Sequence, residues 1–184
     1  MQNRDNRAPP LAPAEYGNRV VSLGEIFTRY QQEVFRLSLG MLGDVSEAED
    51  ATQEVFLRAQ RAWHRFDPQR ASARTWLGHI TMNYCRSFLG RKRLGNQLRK
   101  LLFISPAASR PIKQREDQID IQTALQSIDE QHRSVVILRY YLEFTCAEIA
   151  TVLQINEGTV RSRLSTARRR MRAALQRNDH DAAK

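Results

Sequence analysis

From Arg161 to Arg177 the chain carries seven arginines and no aspartate or glutamate. Guanidinium groups hold phosphates in a planar fork and pair bidentately with the guanine edge. A row of them along one helix grips a polyanion; it does not make or break bonds. At about 100° per residue, Val160, Leu164, Ala167, Met171, Ala174 and Leu175 fall on one side of a helix. Arg161, Ser162, Ser165, Arg168, Arg169 and Arg172 face away from that side. Arg163 and Arg170 lie on a flank, within reach of a phosphate backbone. A solvated surface helix normally mixes signs, so this unbroken cationic face points to nucleic acid.

The preceding residues position that helix. Thr145 with Glu148 three residues on forms a capping box and predicts a helix start near Cys146. Ala147, Ile149, Ala150 and Leu153 give this short helix an apolar face. Gln154, Ile155 and Asn156 make the turn, and Asn156 is a natural cap for the basic helix. Short helix, tight turn and long basic helix form a helix-turn-helix, whose second helix enters the major groove of duplex DNA.

A second cluster lies between Arg70 and Leu94. Asp67-Pro68-Gln69 ends the preceding helix, Arg70, Ser72 and Arg74 stand in a polar loop, and a new helix is expected near Thr75. Leu77, Ile80, Tyr84 and Leu89 are its core candidates. Arg74, Asn83 and Arg86 bring the groups that single-stranded DNA requires: an amide for a base edge, and cations for phosphate or stacking. Arg91-Lys92-Arg93 closes the helix with charge that also complements its dipole. Trp76 fits either the core or a base-stacking wedge. A third cluster runs from Ser46 to Phe66. Ala48, Ala51, Val55, Ala59, Ala62 and Phe66, widened by Phe56 and Trp63, form a buried face. Asp50, Gln53, Glu54, Leu57 and Arg61 line the opposite face. A polar stripe holding an exposed leucine fits either a solvated surface or a helix-on-helix protein contact.

Composition sets the bounds. The chain has 184 residues, a formal net charge of +9 and a pI of about 10.2, a balance that favours polyanionic partners. The pattern is all-α: helical periodicity holds from Val20 to about Leu94 and resumes at Ile119, where Ile121, Leu125, Ile128, Val135, Val136, Leu138 and Leu142 supply a second core. Residues 1–18, rich in Pro, Asn and Arg, read as a disordered tail, and 179–184 as a second tail. Between domains 19–94 and 119–178, residues 95–118 lose periodicity and contain Ser105, Pro106, Ser109 and Pro111, the marks of a flexible linker. No apolar run approaches the roughly 18 residues of a membrane span, and the N-terminus lacks a signal-peptide core. Cys85 and Cys146 form no CxxC pair and read as thiols of a reducing compartment, so a cytoplasmic location is expected. His64, His79, His132 and His180 are scattered, and no nucleophile, metal cluster or phosphate loop stands out. Neither catalysis nor a metal or cofactor is expected.

Taken together and in this order, the three clusters resemble the extracytoplasmic-function sigma factors of bacterial RNA polymerase. The carrying motifs are EAED-x-x-QE-x-F from Glu47 to Phe56, TWL-x-x-I-x-x-N from Thr75 to Asn83, and EIA-x-x-L-x-x-x-x-GTV-x-SRL-x-x-AR from Glu148 to Arg168. The resemblance covers about Leu23 to Arg177 and implies two helical domains, sigma regions 2 and 4. It implies that Asp50, Gln53 and Glu54, with Leu57 and Arg61, dock on the clamp helices of the polymerase β′ subunit. It assigns Arg70, Ser72, Arg74, Asn83, Arg86 and Arg91 to the non-template strand of the −10 element, where a base is flipped out. It assigns Thr159, Arg161, Ser162, Arg163, Ser165 and Arg168 to the −35 element, and the helices around Val135 to Leu142 to the β flap. An anti-sigma factor is a further implied partner. Four positions depart from the family pattern. Ser165-Thr166 stands where His-Arg is frequent, which removes a cation, and Ser87 and Gly90 replace an acidic and a basic residue.

Opening a dozen base pairs costs on the order of 15 kcal/mol at about 1.4 kcal/mol per stacked step. A few phosphate contacts and one flipped base fall short of that, so the free chain is expected to leave promoters closed. Two other classes fit parts of the sequence. A stand-alone helix-turn-helix regulator explains only the C-terminal half. An RNA-binding or nucleic-acid-modifying enzyme fits the charge but finds no catalytic cluster.

Overall fold

The computed structural model describes residues 23–101 and 116–182. The expected tail 1–18 and most of the expected linker lie outside them. Seven α-helices make up the described chain, with a single 3-10 turn at Trp63–Arg65. They are α1 Leu23–Leu42, α2 Val45–Ala62, α3 Ala73–Leu101, α4 Glu116–Ser127, α5 Glu130–Tyr140, α6 Cys146–Leu153 and α7 Glu157–Ala182.

Helices α1, α2 and α3 pack on one another as an N-terminal bundle; α4, α5 and α6 pack on α7. The joints follow from local chemistry. Gly43 ends α1 at φ +80, a conformation that side chains disfavour, and its amide bonds the Leu39 carbonyl at 2.8 Å. Asp44 caps α2 by accepting the Glu47 amide at 2.9 Å. Thr145 and Glu148 complete their capping box at the start of α6. Gln154 takes the left-handed conformation at φ 55, and Asn156 accepts the Thr159 amide at 2.7 Å, which starts α7.

Several boundaries and faces differ from the sequence expectation. Helix α3 begins at Ala73 because Ser72 caps it, accepting the Thr75 amide at 3.1 Å. It runs through Gly95 to Leu101; the Gly95 cost of about 1 kcal/mol is offset by the helix formers Gln97 to Leu101. Ile121 is exposed although it was expected in the core. On α6, Val152 is buried and Ala147 is exposed. On α3, Thr81, Met82 and Cys85 are buried in addition to Leu77 and Tyr84.

Helix α3 packs on more than its own bundle. The two bundles share a continuous apolar core, with α3 against α6 and α1 against α5. Phe144 and Val152 reach Gly78, and Ile137 lies so close to Gly40 that an added Cβ would stand 2.9 Å from it. Polar groups stitch the same seam. The last carbonyls of α1 are capped from the C-terminal bundle: Leu39 by Gln122 at 2.8 Å, Gly40 by Gln126 at 3.1 Å and Met41 by Arg133 at 2.7 Å. These carbonyls form the negative end of the α1 dipole, which a cation and two amide donors complement. Arg133 is buried and also donates to the carbonyls of Leu125, Gln126 and Ile128. Burial pushes its guanidinium below the ordinary value, and Glu130 opposes that shift.

Candidate nucleic-acid interface

On α7, Val160, Leu164, Ala167 and Ala174 are buried against the bundle, and Met171 and Leu175 are half-buried. Arg161, Ser162, Ser165, Arg168, Arg169 and Arg172 are exposed on the other side, and Arg163 is half-buried on the flank. Individual side chains are already oriented. Arg161 is tied to Glu157 one turn back at 2.6 Å. Arg168 donates through Nε to the Tyr140 hydroxyl at 2.7 Å and stacks over that ring at 5.9 Å. Thr159 is engaged through its amide and hydroxyl by Asn156, and the Ser162 hydroxyl bonds the Thr159 carbonyl. Arg170 is not a free flank cation: it pairs with Asp129, which also binds His132.

The α2 stripe is also on the surface. Asp50, Gln53, Leu57 and Arg61 are exposed, whereas Glu54 is half-buried and bonded to Arg58 at 2.8 Å. That hydrogen bond leads the lowering of the Glu54 carboxyl. The apolar character of this face is greater than α2 alone suggested. Phe27 of α1 is exposed and meets Phe56 edge-on at 4.7 Å. Gly24, Phe27, Gln53, Phe56, Leu57 and Gln60 line one shallow groove, and Gln53 also borders a second with Phe35 and Thr52. Phe27 escaped the motif reading because it belongs to a different helix.

The residues assigned to the −10 strand are placed very differently. Arg70 is exposed beside Asp67, and Arg91 is exposed further along α3. Ser72 serves as the α3 cap. Arg74 is mostly buried: it binds Glu33 at 2.8 Å, donates to the Leu142 carbonyl and lies over the Phe144 ring at 4.8 Å. Asn83 is exposed, but its amide donates to His79 Nε2 at 2.9 Å. His79 Nδ1 in turn meets the Val152 carbonyl at 2.9 Å and donates to it, since a carbonyl only accepts. Arg86 is half-buried 3.8 Å from Glu130, which also binds Arg93 at 3.1 Å. Burial leads the lowering of Arg86, against the pull of Glu130. Trp76 packs tilted against Phe66 at 5.0 Å and edge-on to Trp63 at 6.0 Å, half-buried in an aromatic cluster. The α5 residues expected at the β flap, Val135 to Leu138, are buried in this arrangement, as is Leu142; Tyr140 alone of the large apolar residues on α5 is exposed.

Both thiols are free, Cys85 buried with its pKa pushed up to about 12 by burial, and Cys146 half-buried. Among the described residues no three His, Cys, Asp or Glu side chains gather as a metal site. No described helix is long and apolar enough to cross a membrane.

A bundle with an exposed, half-apolar face, joined to a helix-turn-helix bearing an arginine face, fits the architecture of a two-module transcription factor. The family models agree with it: residues 26–94 match sigma-70 region 2, and 118–171 match sigma-70 region 4. The chain belongs to the sigma-70 family, in its extracytoplasmic-function branch. It is 30% identical over 158 residues to the ECF RNA polymerase sigma factor SigL of Mycobacterium tuberculosis, covering 82% of this chain and 87% of that one. It is 28% identical over 167 residues to SigW of Bacillus subtilis, covering 84% and 89%. The fold resembles that of the sigma factor RpoE in complex with the anti-sigma factor NepR from Bartonella quintana. There the TM-score is 0.70 at 22% identity, covering 83% of this chain and 96% of that one. CnrH, solved with the cytosolic domain of CnrY, gives a TM-score of 0.64 at 20% identity, covering 90% and 95%.

Proposed function

We propose that the chain is an alternative sigma factor that binds core RNA polymerase, directs it to promoters through −35 and −10 elements, and aids strand opening. Its α2 face, with Asp50, Gln53, Leu57 and Arg61 and the added Phe27, docks on the β′ clamp helices. The outward face of α7 enters the −35 major groove, with Arg161, Ser162, Ser165 and Arg168 toward base edges and Arg163 toward phosphate. Arg70, Arg74, Asn83, Arg86 and Arg91 hold the non-template −10 strand. The protein works in the cytoplasm without catalysis of its own, and an anti-sigma factor is a further partner.

One observation carries this reading: the chain exposes a half-apolar helix face on one bundle and a cationic recognition helix on the other. A stand-alone regulator needs only the second. Run-off transcription with core polymerase is the test. A promoter-specific transcript that depends on this chain is the expected result; its absence, with the chain still binding duplex DNA, returns the protein to the stand-alone class.

A further inference from the structure

The outward face of α7 is not wholly cationic. Its first residue, Glu157, is the one acid in the sequence between Glu148 and Asp179, ahead of the seven arginines from Arg161 to Arg177. Half-exposed, Glu157 accepts from Arg161 Nη2 at 2.6 Å, one turn on. An exposed pair at this spacing adds little to stability, and a carboxylate there complements the α7 dipole whatever it is bonded to. What the bond does fix is the direction of Arg161. Its neighbours on the face are fixed as well: Ser162 bonds the Thr159 carbonyl, and Arg168 donates to Tyr140. A helix-turn-helix meets base edges through the N-terminal residues of its second helix. Glu157 and Arg161 lie in the first two turns of α7.

We propose that Glu157 is a specificity-determining residue of the −35 reader: it holds Arg161 toward the base edges and keeps that guanidinium off the phosphate backbone. Phosphates and a guanine edge compete for the same fork, and only the guanine carries sequence information. Arg161 Nη2 has two hydrogens. One goes to Glu157, which leaves the other, with those of Nη1, for guanine O6 and N7. Turning the fork to a phosphate gives up the Glu157 bond, and the carboxylate itself repels the backbone. Glu157 therefore lowers affinity for DNA of any sequence and raises discrimination at one position. Arg161 makes the contact, and Glu157 is a positioning residue that acts through it. This inference rests on the assignment of the α7 face to the −35 duplex.

Three variants separate positioning from charge. Glu157→Gln removes the charge and keeps the size. Glu157→Asp keeps the charge on a side chain one methylene shorter, which draws the carboxylate back from Arg161. Arg161→Ala removes the group through which Glu157 acts. Circular dichroism and thermal unfolding check that each variant folds.

The full chain, assembled with core polymerase, selects from a promoter library randomised over the −35 region. Affinity of the full chain for unselected duplex is measured at rising salt. Wild type should favour a guanine at the position read by Arg161, and Arg161→Ala should lose that preference about tenfold. Glu157→Gln should flatten the same position about fivefold, bind unselected duplex about threefold more tightly at low salt, and steepen the salt slope by about one. Glu157→Asp should flatten the position and leave the slope as in wild type. In the Arg161→Ala background, Glu157→Gln should leave base preference unchanged. A Glu157 that only supports the helix would lower the Tm when replaced and move neither base preference nor salt slope. That result overturns the inference and leaves the −35 assignment standing. A wild-type selection with no preference in the −35 region overturns the assignment and the inference with it.

Discussion

The two candidate DNA faces differ in what holds them. The α7 face depends on its own helix: the apolar side packs inward and the arginines are left outside. The α3 face is threaded through the seam between bundles, with Arg74, His79 and Arg86 each bonded to or paired with a group from the C-terminal half. One face is exposed and built by a single helix; the other is shared between two bundles. Local periodicity creates the first, and long-range packing governs the second.

The largest expected effect tests the seam. Arg133 satisfies four carbonyls from both bundles. Arg133→Met keeps volume but leaves buried carbonyls unpaired, so it should lower stability by about 3 kcal/mol. In thermal unfolding that is a fall of roughly 10 °C for a chain of this size. A fall of only a degree or two would mean the bundles do not depend on each other as the shared core implies.

Next comes the α7 face. Arg161→Ala with Arg168→Ala should weaken binding to a selected −35 duplex by about 30-fold or more, at 1–3 kcal/mol per base-reading arginine. Helicity should be unchanged, because both side chains lie outside the core. The same pair should leave α3 crosslinking to single strands intact; loss of both would merge the two faces into one. Gln53→Ala comes third. Gln53 borders both grooves on the α2 side, and its loss should weaken core-polymerase binding about tenfold while −35 duplex binding is unchanged. Equal loss in both assays would contradict the separation of protein and DNA faces.

How much of this was legible in sequence follows the same divide. Val160, Leu164, Ala167 and the exposed arginines of α7 fall where a 3.6-residue period puts them, and the Thr145–Glu148 box starts α6 where its spacing requires. These are contacts of residues three or four apart. The motif spacing also located Asp50, Gln53 and Leu57 on an exposed stripe, but not Phe27, which approaches from α1. Arg133 could not be read as buried, because all four of its acceptors are carbonyls, which leave no signature in side-chain type. Thr81, Met82 and Cys85 are buried beyond the four core positions expected of α3, which packs against α1, α2 and α6. The occupation of Arg74 and Arg86 by distant groups was invisible for the same reason.

A smaller effect concerns the tie between α5 and α7. Burial pushes the Asp129 carboxyl up, but hydrogen bonds from the His132 side chain and amide and from Arg170 outweigh it and hold the pKa at about 2. A folded value below the unfolded value means the contribution is present above about pH 4 and is lost as pH falls toward 2. Asp129→Asn should therefore reduce stability at neutral pH and flatten the acid limb between those values. A parallel limb in acid titration followed by circular dichroism would show that the carboxylate contributes nothing there. The exposure of the side chain keeps the effect modest.

The smallest expected effect separates orientation from contact on α7. Tyr140 reaches Arg168 from α5, with its hydroxyl accepting from Nε at 2.7 Å. A guanidinium held by one neighbour loses less rotamer freedom when it meets a base edge. Tyr140→Phe removes the acceptor and keeps the ring, so −35 affinity should fall about two- to threefold, on the order of 0.5 kcal/mol. In an Arg168→Ala background the same substitution should do nothing, because the hydroxyl acts only through that arginine. If Tyr140→Phe weakens binding equally in both backgrounds, the hydroxyl touches DNA itself and the reading face extends from α7 onto α5.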